Sequence, residues 1–142
     1  MEPRNRIVRT IAISLCAALC VAAGVFALRA QDDEGLRVTG SGVGTGVVDR
    51  ELQGRAEEFP EQTEVWFWTR IEGGEEGDYI VHVWLREGVE VYRHELRVGG
   101  SHWRTWSSKM LHSGSEGEWI VEARDEEGLV LARDTFRCTP AE

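Results

Sequence analysis

From residue 64 to residue 138 apolar and polar side chains alternate with a period of two, and turn residues interrupt the alternation every ten positions or so. A period of two is the signature of a β-strand with one face buried. Residues 64–71 set Val65, Phe67 and Ile71 against Trp66, Trp68 and Arg70. Residues 78–86 set Tyr79, Val81, Val83 and Leu85 against His82, Trp84 and Arg86. Strands are expected again over 89–98, 102–107, 117–124 and 129–138. In the third of these, Trp119, Val121 and Ala123 form the core face, opposite Glu118, Glu122 and Arg124. The turns between them carry Gly73, Gly74 and Gly77, then Glu87-Gly88, Gly99-Gly100, and the acidic run ending at Gly128. These are residues that reverse a chain at low cost.

Residues 36–48 predict a first strand of unusual make-up. Gly40, Gly42, Gly44 and Gly46 alternate with Ser41, Val43 and Thr45, so one face is bare. The spacing is not a dinucleotide loop, because Thr45 or Val47 stands where the third glycine belongs and no helical period follows. A flexible linker is the alternative. A strand whose bare face receives a bulky neighbour is preferred. Residues 49–63 are polar, contain Gly54 and Pro60, and read as loop. About seven strands with closely spaced turns and no helical period predict an all-β domain. An immunoglobulin-like β-sandwich of about seven antiparallel strands fits best, with a small barrel as the rival.

The N-terminus follows different rules. Arg4, Arg6 and Arg9 precede a stretch, residues 11–28, that carries no charge, and Asp32, Asp33 and Glu34 follow. A basic flank, an apolar run and an acidic exit match a cleaved export signal or an N-in membrane anchor. The run would span about 27 Å as a helix, close to the ~30 Å hydrocarbon core, so both readings stand. Residues 1–30 are therefore expected to be signal or anchor, 31–35 an acidic spacer and 36–138 the β-domain. Either reading places that domain outside the cytoplasm. Membrane contact is then confined to residues 11–28. Cys16 and Cys20 each follow a leucine (Leu15 and Leu19), whereas lipidation signals want a small residue there. Cys138 is the only cysteine beyond the leader, so the domain is expected to fold without an internal disulfide.

The chain carries a formal charge of −9, and residues 31–142 hold 12 basic against 24 acidic side chains. Such a balance argues against nucleic acid, whose phosphates demand a basic surface. It disfavours anionic headgroups for the same reason.

All six tryptophans lie between residues 66 and 119. Around them run His82-x-Trp84, the block Gly99-Gly-Ser-His-Trp-Arg-Thr-Trp-Ser-Ser-Lys109, Gly117-Glu-Trp119-x-Val121, Asp125-x-x-Gly128-x-x-Leu131, and Phe136. In order and spacing these residues resemble the bacterial domain of unknown function 2914, over residues 36–138. Leu52 departs from that pattern where a proline is usual. The resemblance implies an exported or membrane-anchored all-β domain and no activity.

Three constellations are candidates for function. Trp119 with Val121 reads as core. Trp66, Trp68, His82 and Trp84 are expected to share the outer face of neighbouring strands, edged by Arg70 and Arg86. An exposed row of indoles with arginine is a recognition surface for protein or sugar. The opposing reading has that face covered, by the glycine-faced first strand. In the third, Arg104 and Lys109 beside Trp103 and Trp106 read as an anion clamp or as a structural corner. Catalytic signals are weak. His82, His94, His102 and His112 lack metal-ligand spacing, Ser107-x-Lys109 lacks an oxyanion signature, and no cofactor is implied. The leading expectation is a non-catalytic envelope module that binds a protein or glycan. An envelope-polymer hydrolase using His82 or His94 with a carboxylate, and a purely structural spacer, are the alternatives.

Overall fold

The computed structural model describes residues 35–142, and every regular element among them is a strand. The expected signal or anchor, with Cys16 and Cys20, and residues 31–34 of the spacer lie outside the described residues. There are ten strands: β1 (Arg37–Gly44), β2 (Gly46–Val48), β3 (Glu51–Gln53), β4 (Glu58–Pro60), β5 (Glu64–Glu72), β6 (Tyr79–Arg86), β7 (Val89–Arg97), β8 (His102–Met110), β9 (Gly117–Arg124) and β10 (Val130–Thr139). They form a three-stranded sheet ordered β1-β5-β8, a five-stranded sheet ordered β4-β10-β9-β6-β7, and the β2-β3 hairpin. All pairings are antiparallel except β10 with β4. The all-β expectation holds. The seven long strands sit close to their predicted positions, and the three additional ones are each three residues long.

One apolar cluster takes residues from both larger sheets. Phe67 and Ile71 of β5, Trp84 of β6, Trp119 and Val121 of β9 and Phe136 of β10 are all at most 2 % exposed. Aromatic pairs run through this core: one joins the two sheets and two lie within the five-stranded sheet. Phe67 meets Trp84 edge-on at 6.5 Å between ring centroids, Trp84 meets Phe136 at 6.3 Å, and Trp119 stacks on Phe136 at 5.8 Å. Such pairs add about 0.5–1.5 kcal/mol each beyond the area they bury. Trp119 donates its N–H to the Ser115 carbonyl at 2.8 Å, so its burial leaves no unpaired polar group. Cys138 lies in the same cluster as a free, buried thiol.

Two corrections follow from the topology. β5 and β6 are consecutive but not hydrogen-bonded neighbours, since the 73–78 turn carries the chain from one sheet to the other. They face each other through the core. The phase expected for β6 is also reversed: Ile80 and Trp84 join the apolar cluster, with the His82 ring against Phe67, while Val81 and Val83 point to the far side of the five-stranded sheet. That far side is itself covered by charge. Val83 stands between Arg93 of β7 and Glu122 of β9 and is fully buried.

The glycine-faced strand is real, and its bare face has a use. Gly40, Gly42 and Gly44 lie opposite Arg70, Trp68 and Trp66 of β5. A Cβ on Gly44 would stand 2.2 Å from the Gln53 carbonyl, and one on Gly42 would meet the Arg55 guanidinium. The bare strip is thus where the β2-β3 hairpin and its exit lie down on the three-stranded sheet.

Candidate functional site

His82 sits at the centre of the domain, fully buried, 4.5 Å from the Phe67 ring centroid. Its Nδ1 lies 2.8 Å from Ser107 Oγ and its Nε2 lies 3.2 Å from Thr69 Oγ1. The proton positions follow from the outer members of the network. Thr69 donates its hydroxyl to the Thr105 carbonyl at 3.2 Å, so toward His82 it accepts, and Nε2 carries the hydrogen. Nδ1 is then bare and accepts from Ser107, whose oxygen accepts the Trp84 indole N–H at 3.1 Å. One directed chain runs from Trp84 through Ser107, His82 and Thr69 to the Thr105 carbonyl. It ties β6 to β5 and β8. Burial, reinforced by the charge of His94, lowers the His82 pKa to about 3, so the ring is neutral at physiological pH.

That arrangement corrects the expected recognition face. Trp68, His82 and Trp84 are each at most 1 % exposed, and His82 and Trp84 belong to the interior, across the core from β5. Trp66, Trp68, His82 and Trp84 therefore share no outer face. Nor do the histidines offered for hydrolysis meet a carboxylate: His82 bonds Ser107 and Thr69, while exposed His94 lies 3.2 Å from the Tyr92 hydroxyl. Among the described residues no three His, Cys, Asp or Glu side chains group as metal ligands.

The clamp expected of Arg104 and Lys109 is not formed either. Neighbouring positions on a strand face opposite ways, so Trp103 and Lys109 share one face of β8 while Arg104 and Trp106 share the other. Lys109 lies over Tyr92, 5.6 Å from its ring centroid. Arg86, on the other sheet, donates from Nε and Nη2 to the Glu116 carbonyl at 3.0 and 2.7 Å and braces the loop before β9.

What the structure brings together instead is a set of indoles and arginines on the outer face of the three-stranded sheet. Trp66, Trp68 and Arg70 of β5 lie beside Ser108, Trp106 and Arg104 of β8. Trp68 is sealed by the β2-β3 hairpin. Its Nε1 donates to the Arg50 carbonyl at 2.8 Å, and the Arg55 and Arg70 guanidiniums lie 6.0 and 5.4 Å from its ring centroid. Each such contact is worth about 0.5–1 kcal/mol at a partly exposed site. Trp66 and Trp106 are half-buried on the same face.

Where β5 ends and β8 begins, a cavity of about 500 Å³ is lined by Arg50, by Arg70, Glu72, His102 and Arg104 at the end of this face, and by Ile71 and Trp103 of the opposite one. Arg50 reaches it from the tip of the hairpin, where Asp49 and Arg50 both have positive φ, 49° and 66°. A two-residue turn of this hand matches the twist of the strands, and it accepts Asp at its first position but normally uses Gly at its second. Holding Arg50 there costs energy, and that cost is met by the Trp68–Arg50 bond and by the Arg50 guanidinium 5.6 Å from the Trp103 ring centroid. Arg104 Nη1 contacts Glu51 Oε1 at 2.7 Å, and Glu72 is held by Arg37 at 3.1 Å. Among the described residues Arg50 and Arg70 have no acidic partner.

A second charged group lies on the far side of the five-stranded sheet. The Glu122 side chain, 5 % exposed, contacts Arg124 Nη2 and Arg133 Nη2, both at 2.6 Å. Burial alone would raise its pKa, but hydrogen bonds from the two arginines override this and hold it below the usual carboxylate range. Both of its carboxylate oxygens accept from these arginines, and the group covers Val83.

Arg50, Glu51 and Arg55 are the site residues that strand patterning missed. The signal was the sequence Val47-Val-Asp-Arg-Glu-Leu52, where alternation resumes after two turn positions. Residues 77–138 of the chain match the model of a family described as a protein of unknown function (DUF2914). The match runs from the turn before β6 into β10, so the resemblance read over 36–138 is shown for this part. No curated protein matches the chain.

Proposed function

We propose that this chain is a non-catalytic binding or assembly module of the bacterial envelope that meets a protein or glycan partner on the outer face of its three-stranded sheet. The observation that carries this reading is the contrast between the two groups of aromatics. Trp84 and Trp119 are consumed by the core, whereas Trp66 and Trp106 are only half-buried on the face that also carries Arg70 and Arg104. Tryptophan and arginine presented together on one face are the composition of binding hot spots. The basic, apolar and acidic succession of residues 1–34 supports delivery outside the cytoplasm, as a periplasmic or inner-membrane-tethered domain. The shared core of the two larger sheets supports reading them as the layers of an immunoglobulin-like sandwich, with the hairpin added on the outside.

The test is capture from envelope extracts with the wild-type domain and with folded Trp66→Ala and Trp106→Ala variants. Truncating a hot-spot residue costs ≥ ~2 kcal/mol of binding, about thirtyfold in affinity, so both variants are expected to lose the partner. Retention of every wild-type partner by both variants would place the interface elsewhere.

A further inference from the structure

We propose that the cavity between the hairpin tip and the ends of β5 and β8 is a carboxylate-binding site, with Arg50 and Arg70 as its open donors and Arg104 as a third. This rests on the reading that the outer face of the three-stranded sheet is the binding face, and it names the chemistry at one end of it.

Arrangement is the first argument. Arg50, Arg70 and Arg104 come from three separate segments, yet all line one cavity of about 500 Å³. Like charges converge in this way against their own repulsion, and the arrangement persists only if something fixes each one. Here the fixing groups are visible. Arg70 lies on Trp68, Arg50 lies on Trp103, and Arg104 is held by Glu51. A guanidinium resting on an indole face is oriented without using its N–H donors, which project from the ring edge and stay free for a planar oxyanion.

The second argument is the charge balance. Residues 31–142 carry twice as many acids as bases. Among the described residues Arg55, Arg86, Arg97 and Lys109 also form no ion pair, but Arg50 and Arg70 are two such guanidiniums lining one cavity, so their donors are open to a shared ligand. The third argument is that the site already holds one carboxylate. Glu51 Oε1 stands 2.7 Å from Arg104 Nη1, with both side chains more than a third exposed. Glu51 thus shows that a carboxylate fits here, and it occupies one of the three donors. The fourth is that the hairpin turn carries Arg50 at a φ of 66°, which is strain kept at the place where the residue is aimed. A carboxylate is favoured over phosphate because the acidic domain repels a dianion more than a monoanion.

The carboxylate can come from an acidic sugar or from a peptide chain end. Titration of the folded domain at low salt distinguishes them: sodium glucuronate against glucose, and a short peptide with a free C-terminus against its amidated form. At least one carboxylate is expected to bind while its neutral counterpart does not, and the source is the arm that binds more tightly. Arg70→Ala and Arg50→Ala are expected to weaken binding roughly ten- to a hundredfold each, the usual loss for a charged hydrogen bond. Arg70→Lys does not restore it, because an ammonium lacks the planar fork. Glu51→Gln, which empties Arg104, is expected to tighten binding several-fold. Arg93→Ala, on the far side of the five-stranded sheet, leaves it unchanged. Failure of both carboxylates to bind, tighter binding of inorganic phosphate, or equal binding by wild type, Arg50→Ala and Arg70→Ala would overturn the proposal. If neither carboxylate binds while envelope capture still depends on Trp106, only the carboxylate assignment falls. If capture ignores Trp66 and Trp106 while glucuronate or peptide still needs Arg70, the pocket stands and the wider face reading falls.

Discussion

Trp84→Ala and Trp119→Ala are each expected to lower the unfolding free energy by about 3–5 kcal/mol, the range for truncating a buried large aromatic. Both rings are at most 2 % exposed and both pack against Phe136. Trp84→Ala also removes the donor that Ser107 accepts, so the directed chain through His82 loses its first member. The domain has no disulfide to limit the loss, and a stability of about 5–15 kcal/mol would be cut by a large fraction. Urea titration followed by circular dichroism measures both effects. A loss below about 1 kcal/mol at Trp84, typical of a surface site, would return that ring to the outside of the fold.

Acid is expected to weaken the domain well above the range in which carboxylates titrate. The unfolded chain protonates His82 near pH 6.5, whereas the buried ring resists protonation down to about 3. Between these values the unfolded state binds one more proton than the folded state, so stability falls as the pH drops. The slope is about 1.4 kcal/mol per pH unit, which makes the loss about 2 kcal/mol at pH 5. Glu122 adds to the fall only lower down, where its depressed carboxylate pKa lies beneath that of the unfolded chain. Thermal unfolding of wild type and His82→Gln between pH 7.5 and 5 isolates the histidine contribution. The wild type slopes and the variant is flat across this window. Equal slopes would mean that His82 is charged in the folded state.

The pattern of apolar residues located the seven long strands because turn glycines and acids separate them cleanly. It also oriented β9 correctly, since only one face of that strand is apolar. On β6 it failed for a definite reason. That strand is central, between β7 and β9, and both of its faces are buried from Ile80 to Trp84. Alternation between aliphatic residues and His or Trp then says nothing about which face meets the core. The outer face is sealed by the charged side chains of β7 and β9, which no apolar pattern records. The assignment of β5 and β6 to neighbouring positions failed because a glycine-rich turn joins two sheets as readily as two strands of one sheet. The hairpin escaped notice because its turn is Asp49-Arg50 rather than Asn-Gly, and β4 because three residues beside β10 carry no period. As for the site, Arg104 and the indoles were named from the sequence. Their partners Arg50, Glu51 and Arg55 sit on the hairpin and its exit, and only the fold carries these across the bare glycine face of β1.

Hydrogen–deuterium exchange at the six indole N–H groups, read one by one in ¹H–¹⁵N spectra, tests most directly whether the aromatics divide into a sealed core and a working face. Trp84, Trp119 and Trp68 donate to Ser107 Oγ and to the carbonyls of Ser115 and Arg50, so their protons are expected to survive for hours. Trp66 and Trp106 are expected to exchange at once. A Trp84 proton lost as quickly as that of Trp106 would contradict the division on which the binding face is built.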